Sequence, residues 1–266
     1  MQDTASPSSK PPVVLAIGGH DPTGGAGIQA DIEAINAHGV RAVTLVTALT
    51  NQNTVSFTNC QGVDPASFAA QGATLLADMP IAACKLGLIP NAIIAAAIGD
   101  LLRQLPTAPV VLDPVLASGA GTPIANDATL TALRGLLPRV TVLTPNSMEA
   151  MALAGHPDSL EAAAESLLAA GCSYVLITGS HAQSKRVVNR LYGKGLRQDL
   201  DWERLPHTYH GSGCTLAAAL AAQIALGHDV PTASARAQAY TWTTLKDGVQ
   251  LGRGQYHPTR RVRPLS

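Results

Sequence analysis

The sequence predicts an α/β fold in which a mostly parallel sheet is sandwiched by helices. Three observations carry this expectation. Short β-rich runs alternate with longer Ala/Leu-rich helical stretches along most of the chain. The short runs are continuously apolar, as in strands buried on both faces. Polar residues collect where those runs end, at Gly19-His20-Asp21, Asn51-Gln52-Asn53, Asp113 and Asn146. In parallel sheets, ligands sit beyond the carboxyl ends of the strands.

The elements follow in order. Val13 to Ile17 is a buried strand, and a glycine-rich loop over Gly18 to Gly27 leads into a helix from Ile28 to Ala37. Gly39 terminates that helix. Ala42 to Ala48 is a second strand and Val55 to Val63 an extended stretch. Pro65 to Ala77 is helical, Ile81 to Leu86 a buried strand and Asn91 to Leu105 a helix. Pro109 to Leu112 is a strand ending on Asp113; Asn126 to Leu136 is a helix. Val140 to Leu143 is a strand ending on Thr144-Pro145-Asn146, with helices after it, Ser159 to Ala170 the clearer. Tyr174 to Thr178 is a strand, and a hairpin forms around Gly193-Lys194-Gly195. Two long helices, Gly213 to Leu226 and Pro231 to Gly248, close the pattern.

At 266 residues the chain suits one large domain, and no Pro/Gly/Ser-rich linker divides it. We read 13–266 as a single domain preceded by a polar, disordered tail over 1–12. Apolar residues make up 46% but aromatics only 3%, so Ala, Leu, Val and Ile must build the core. A net charge of zero gives no support for nucleic acid or an acidic membrane surface as a partner. The basic cluster Arg253, Arg260, Arg261 and Arg263 reads as a solvated terminus. Neither a signal peptide nor an apolar run of roughly 20 residues is seen, so the expectation is a cytoplasmic protein. Cys60, Cys84, Cys172 and Cys214 form no CxxC pair, which argues against zinc or a disulfide framework.

The most informative stretch is Gly211-Ser212-Gly213-Cys214-Thr215-Leu216, running into Ala217-Ala218-Ala219-Leu220. N–H groups at a helix start lack intrahelical partners, and the helix dipole adds positive potential. That makes an anion hole suited to phosphate. In the first turn, the same field is expected to favour the Cys214 thiolate. An anion hole beside a base is what phosphoryl transfer to an alcohol needs. Asp113 at a strand end, with Glu149 one helical turn after Asn146, could order Mg²⁺ around phosphates. Gln52 could read a heterocycle edge through two hydrogen bonds. Asp31 could serve as a helix-dipole partner or as a functional group.

Other chemistries are poorly supported. Gly25-Ala26-Gly27-Ile28-Gln29-Ala30 fits a loose dinucleotide pattern, but no acidic residue follows at the ribose spacing. No Gly-Lys-Ser, Gly-Lys-Thr or GxSxG sequence occurs. His207 and His210 have a metal-like spacing without a third ligand.

Ala16-Ile17-Gly18-Gly19-His20-Asp21-Pro22-Thr23-Gly24-Gly25-Ala26-Gly27-Ile28-Gln29-Ala30-Asp31 resembles the opening signature of the hydroxymethylpyrimidine/phosphomethylpyrimidine kinases of thiamin biosynthesis. Thr47-Ala48-Leu49-Thr50-Asn51-Gln52-Asn53-Thr54 is similar to their pyrimidine-reading segment. Lys85-Leu86-Gly87-Leu88, the run ending in Asp113-Pro114-Val115, Leu143-Thr144-Pro145-Asn146 with Glu149, and His210 to Leu216 continue the likeness in order.

The resemblance implies a ribokinase-like three-layer αβα sandwich that binds ATP without a P-loop. It implies Cys214 as general base and the N–H groups of Gly211, Ser212, Gly213 and Cys214 as the phosphoryl cradle. Gln52 would pair with the aminopyrimidine, with Gly19, Ala26, Asp31, Thr50, Leu88 and Val115 completing the substrate site. Asn146, Thr178 and Gly179 would serve the nucleotide, and Asp113 and Glu149 a Mg²⁺ ion. A homodimer is implied in the same way. The related pyridoxal kinases usually carry aspartate in place of Cys214, which favours the pyrimidine. Ala117-Ser118-Gly119-Ala120-Gly121-Thr122 and Thr178-Gly179-Ser180-His181 depart from the family by lacking its usual lysines. The alternatives are a pyridoxal-type vitamin kinase and a non-catalytic pyrimidine-binding protein.

Overall fold

The structure, a computed structural model, describes residues 10–118, 121–179 and 184–261. Among these, nine strands form one sheet in the order β3-β2-β1-β4-β5-β6-β7-β8-β9. The strands are β1 Val13–His20, β2 Arg41–Gln52, β3 Phe57–Gly62, β4 Ala83–Leu86, β5 Val110–Leu112, β6 Val142–Leu143, β7 Tyr174–Ile177, β8 Arg186–Gly193 and β9 Leu196–Glu203. Strands β2, β1, β4, β5, β6 and β7 run parallel; β3, β8 and β9 add antiparallel edges. The chain order reverses between β1 and β4, which creates the crevice where such sheets take their ligands.

Among the described residues, eight α-helices cover the two faces. They are α1 Gly27–Asn36, α2 Pro65–Asp78, α3 Ala92–Arg103, α4 Asp127–Leu136, α5 Ser147–Ala154, α6 Leu160–Ala169, α7 Ser212–Ala225 and α8 Val230–Lys246. The period-2 alternation of each strand sorts its side chains between two cores. Leu15, Ile17, Leu86 and Leu112 pack with α2 to α6. Val14, Ala16, Ala83 and Val111 pack with α1, α7 and α8. The second core contains the unbroken run Ala217-Ala218-Ala219-Leu220-Ala221-Ala222, every residue of it fully enclosed. Small side chains let α7 lie close over the centre of the sheet.

Local chemistry fixes most helix starts. Asp64, Asn91, Asn126, Asn146, Ser159 and Asp229 each cap a helix by accepting a backbone N–H. Two elements differ from the sequence expectation. β1 continues through Gly18 and Gly19 to His20 instead of giving way to loop at Gly18. A bulge between Gly18 and Gly19 keeps it paired to β2. β2 runs on to Gln52, so the segment expected after the second strand is its last turn of ladder against β3. Residues 1–9 of the expected tail lie outside the described residues. Of the departures in the phosphate region, residues 119–120 and 180–181 do as well.

Candidate active site

Helix α7 begins at the sheet's ligand-binding end with its N-cap, Gly211, in the left-handed region at φ 71°. A Cβ on Gly211 would stand 2.0 Å from the carbonyl oxygen of Gly25. Glycine is therefore required twice, by conformation and by contact. The first intrahelical donor is the Thr215 N–H, which reaches Gly211 O at 2.9 Å. The N–H groups of Ser212, Gly213 and Cys214 precede it and face the open end, where Gly213 is exposed. This helix start is the backbone feature on which the expected anion hole would be built.

Cys214 follows in the first turn. Its sulfur accepts from the Gly27 N–H, and its thiol is hydrogen-bonded to the Asp113 carboxylate. Burial pushes the thiol up to about 12; Lys85 draws it down, while Asp113 and Asp31 push it further up. This corrects the expected thiolate. The helix field is outweighed by desolvation and by two neighbouring carboxylates, so the resting group is a thiol paired with an acceptor.

Asp113 ends β5 beside this thiol. Burial raises it to about 6 against the pull of Lys85. Glu149 is raised to about 8, first by burial and then by the Asp113 charge. Its two oxygens accept from Asn146 N–H at 2.9 Å and Leu116 N–H at 3.4 Å. Asn146 returns the favour by capping α5 through the Glu149 N–H, a reciprocal capping box. A buried carboxylate beside a half-buried one whose proton it holds on fits a divalent cation, which would relieve the repulsion. Among the described residues, no group of three or more His, Cys, Asp or Glu could hold a metal. A cation here would complete its shell with water and phosphate oxygens.

Asn146 and Thr178 are joined by a backbone bridge, and the Thr178 N–H reaches Pro145 O at 2.9 Å. The Gly179 N–H donates to Asn189 Oδ1 at 3.0 Å. The three expected nucleotide residues thus come together beyond β6 and β7. Asn189 was not anticipated; a buried amide inside a strand was its one sequence signal.

On the other side of α7, Gly19 lies against Leu88, whose Cδ2 would be 2.7 Å from a Cβ at Gly19. Thr50 and Gln52 line an open cleft of about 510 Å³ with His20, Pro22 and Asn53. Gln52 Nε2 donates to Thr50 Oγ1 at 2.9 Å, and that hydroxyl donates to His20 O at 2.9 Å. Ala26 packs against Gly211 and donates its N–H to Asp21 at 2.8 Å. Val115 follows Asp113 in a tight turn, its N–H on Asp113 O at 2.9 Å.

Asp31 does not take the place expected for a substrate contact or a dipole partner. It is fully enclosed and ion-paired with Lys85 at 2.8 Å. Lys85 itself stands on the β4 face beneath α1 and α7, next to Ala83 in the alternation. Burial, the largest single influence, would lower it, but Asp31, Cys214 and Asp113 together outweigh burial and hold it above its usual value. Sequence reasoning quoted Lys85 without assigning it a role. The available signal was a lysine in the otherwise apolar run Ala83-Cys84-Lys85-Leu86.

His210 Nε2 lies 2.8 Å from Asp21 Oδ2, joining the glycine loop to the segment before α7. Burial alone would raise Asp21. The hydrogen bonds from His210, Thr23 and Ala26 outweigh it and hold the carboxyl near 2. His210 is thereby a loop tie and not half of a metal pair with His207, which stacks on Tyr256.

A phosphomethylpyrimidine kinase family model matches residues 21–259 of the chain. The chain belongs to this family. It is similar to the hydroxymethylpyrimidine/phosphomethylpyrimidine kinase of Synechococcus elongatus, 38% identical over 92% of this chain and 95% of the relative. Its fold resembles that of a phosphomethylpyrimidine kinase from Clostridium difficile, with a TM-score of 0.76 and 28% identity over 86% and 97% of the two chains. It also resembles a Staphylococcus aureus pyridoxal kinase in complex with AMP-PCP and pyridoxal, with a TM-score of 0.87 and 25% identity over 97% and 96%. The αβα sandwich and the kinase activity stand on this membership. Among the described residues, no helix is long and apolar enough to cross a membrane.

Proposed function

We propose that this kinase transfers the γ-phosphoryl group of ATP to 4-amino-5-hydroxymethyl-2-methylpyrimidine, and then to the resulting monophosphate, as a step of thiamin diphosphate biosynthesis. The observation that carries the reading is the Cys214 thiol, held by the Gly27 N–H and Asp113 at the open start of α7.

In the first step the hydroxymethyl oxygen bonds to the γ-phosphorus as the bond to the ADP oxygen breaks. The hydroxyl proton passes to Cys214 while the thiol's own proton passes to Asp113, so the pair takes up one proton. This is how a group resting near 12 can act as the immediate base. The N–H groups of Ser212, Gly213 and Cys214 meet the charge on the transferring phosphoryl oxygens. A Mg²⁺ ion held by Glu149, with water and phosphate oxygens completing its shell, would neutralise phosphate charge and leave Asp113 to take the thiol proton. Gln52 and Thr50 offer the amide and hydroxyl that would read the pyrimidine edge. In the second step the acceptor is a phosphate, already anionic, and needs less help from a base.

A pyridoxal-phosphorylating reading is favoured by one observation, the high likeness of fold to pyridoxal kinases. The greater identity to the pyrimidine kinases favours the first reading. ADP release, with the hydroxymethylpyrimidine, its monophosphate and pyridoxal offered in parallel, decides between them. Turnover of both pyrimidines above pyridoxal is expected; a pyridoxal preference overturns the reading. A homodimer in the cytoplasm accompanies this proposal, and sedimentation of the purified protein tests the dimer.

A further inference from the structure

The chain doubles back after α8. Val249 pairs with His257, and Tyr256 pairs with Tyr209 just before the anion hole. This places Arg260 beneath the glycine loop. The sequence reading of Arg260 as part of a solvated terminus is corrected here: only 1% of its side chain is exposed.

Its guanidinium touches three elements at once. Nε donates to Thr215 Oγ1 at 2.8 Å, and that hydroxyl donates to Gly211 O at 2.8 Å. Nη1 donates to Gly24 O at 3.4 Å and to Glu33 Oε2 at 3.0 Å, and Nη2 donates to Gly25 O. Besides Asp113, the Cys214 sulfur is bordered by the glycine loop and the α7 start. They meet where Gly25 and Ala26 press on Gly211. Two residues further along the loop, Gly27 donates its N–H to the sulfur.

We propose that Arg260 is a positioning residue for phosphoryl transfer, locking the glycine loop to α7 so that the Gly27 N–H and Cys214 keep their register. The proposal rests on the reading of Cys214 as base. A loop holding Gly24, Gly25 and Gly27 has much backbone freedom to lose; Asp21 and Thr23 hold its N–H groups, while Arg260 takes the carbonyls of Gly24 and Gly25. The buried carbonyls of Gly24 and Gly25 need donors. A guanidinium presents several donors in one rigid fork; an ammonium of the same charge cannot span all these acceptors.

The test compares Arg260→Lys and Arg260→Ala with the wild type, at a temperature where melting curves show all three folded. The expected result is a fall in kcat of about tenfold to a hundredfold, with KM for the hydroxymethylpyrimidine little changed. Millimolar ethylguanidinium should restore part of the Arg260→Ala loss, and ethylammonium should not. Independently of turnover, peptide-resolved alkylation by iodoacetamide should proceed at an altered rate at Cys214 and an unaltered one at Cys60. Thr215→Val removes the Nε acceptor and should move both readouts the same way by less, which keeps the test open if the arginine variants do not fold. Wild-type kcat and wild-type Cys214 alkylation in folded variants overturn the proposal, as does a loss that merely tracks the unfolded fraction. A wild-type protein silent toward the pyrimidine would instead fault the functional reading, and the alkylation arm would still decide on Arg260.

Discussion

Lys85 Nζ lies 2.8 Å from one oxygen of Asp31 and 2.9 Å from the other, with both side chains sealed from solvent. The pair joins β4 to α1 directly beneath Cys214. It also supplies a buried cation that interacts with both Asp113 and the thiol.

Breaking this pair from one side should cost stability. Lys85→Met leaves Asp31 as an unpaired buried charge, so urea unfolding should show a loss of about 3–5 kcal/mol. Adding Asp31→Leu should recover much of that loss. A single variant within about 1 kcal/mol of the wild type would mean the pair is not held as a buried charge pair.

Cys214→Ala should separate the two phosphorylations. The first step loses its immediate base and should slow by about a hundredfold or more. The second, with an anionic acceptor, should slow far less. Rapid-quench measurement of each step on its own substrate checks this, and equal losses would remove the proton-transfer role.

Cation binding should depend on pH with a defined sign. With Asp113 near 6 and Glu149 near 8, Glu149 is largely protonated at neutral pH. A divalent cation must displace that proton, so Mg²⁺ affinity should tighten as pH rises from 6 toward 8. Calorimetry in buffers of different ionisation enthalpy should register proton release on Mg²⁺ addition near pH 7. Glu149→Gln should abolish that release; a pH-independent affinity would place the cation elsewhere.

Gly211→Ala should damage both fold and function. Its Cβ would meet Gly25 O, and its φ lies in the region that disfavours side chains. A stability loss of at least about 1–3 kcal/mol is expected from the backbone alone. Thermal melts check that part, and the phosphoryl-transfer rate of whatever remains folded should fall further.

What could be read from the chain, and what could not, follows the range of the interactions. The anion hole was visible because Gly211 to Cys214 are contiguous and a helix start needs no distant partner. The helices beginning at about Asn91 and Asn126 were visible for the same reason. The extension of β1 to His20 was not, because glycines read as loop; here Gly18 and Gly19 continue the ladder, and at Gly19 a Cβ would strike Leu88. The Asp31 partner lies 54 residues away, and the Thr215 partner of Arg260 lies 45 away. A local pattern shows that such a charge is present without showing what neutralises it. The thiol's protonation state was missed because helix field was weighed without the burial and the neighbouring carboxylates that only the folded chain assembles.

The alanine run of α7 has a consequence for tolerance to change. Residues 217–219 and 221–222 contribute little apolar surface, so their value lies in their thinness. They act as a shim that sets the height of the phosphate cradle above the strand ends. One added methyl group there would tilt the helix, costing about 1–3 kcal/mol of strain and lifting the cradle away from its carboxylates. Drift in this lineage should therefore be freer in the bulky core under α2 to α6 than in this sparse one, although the sparse core appears the less demanding of the two.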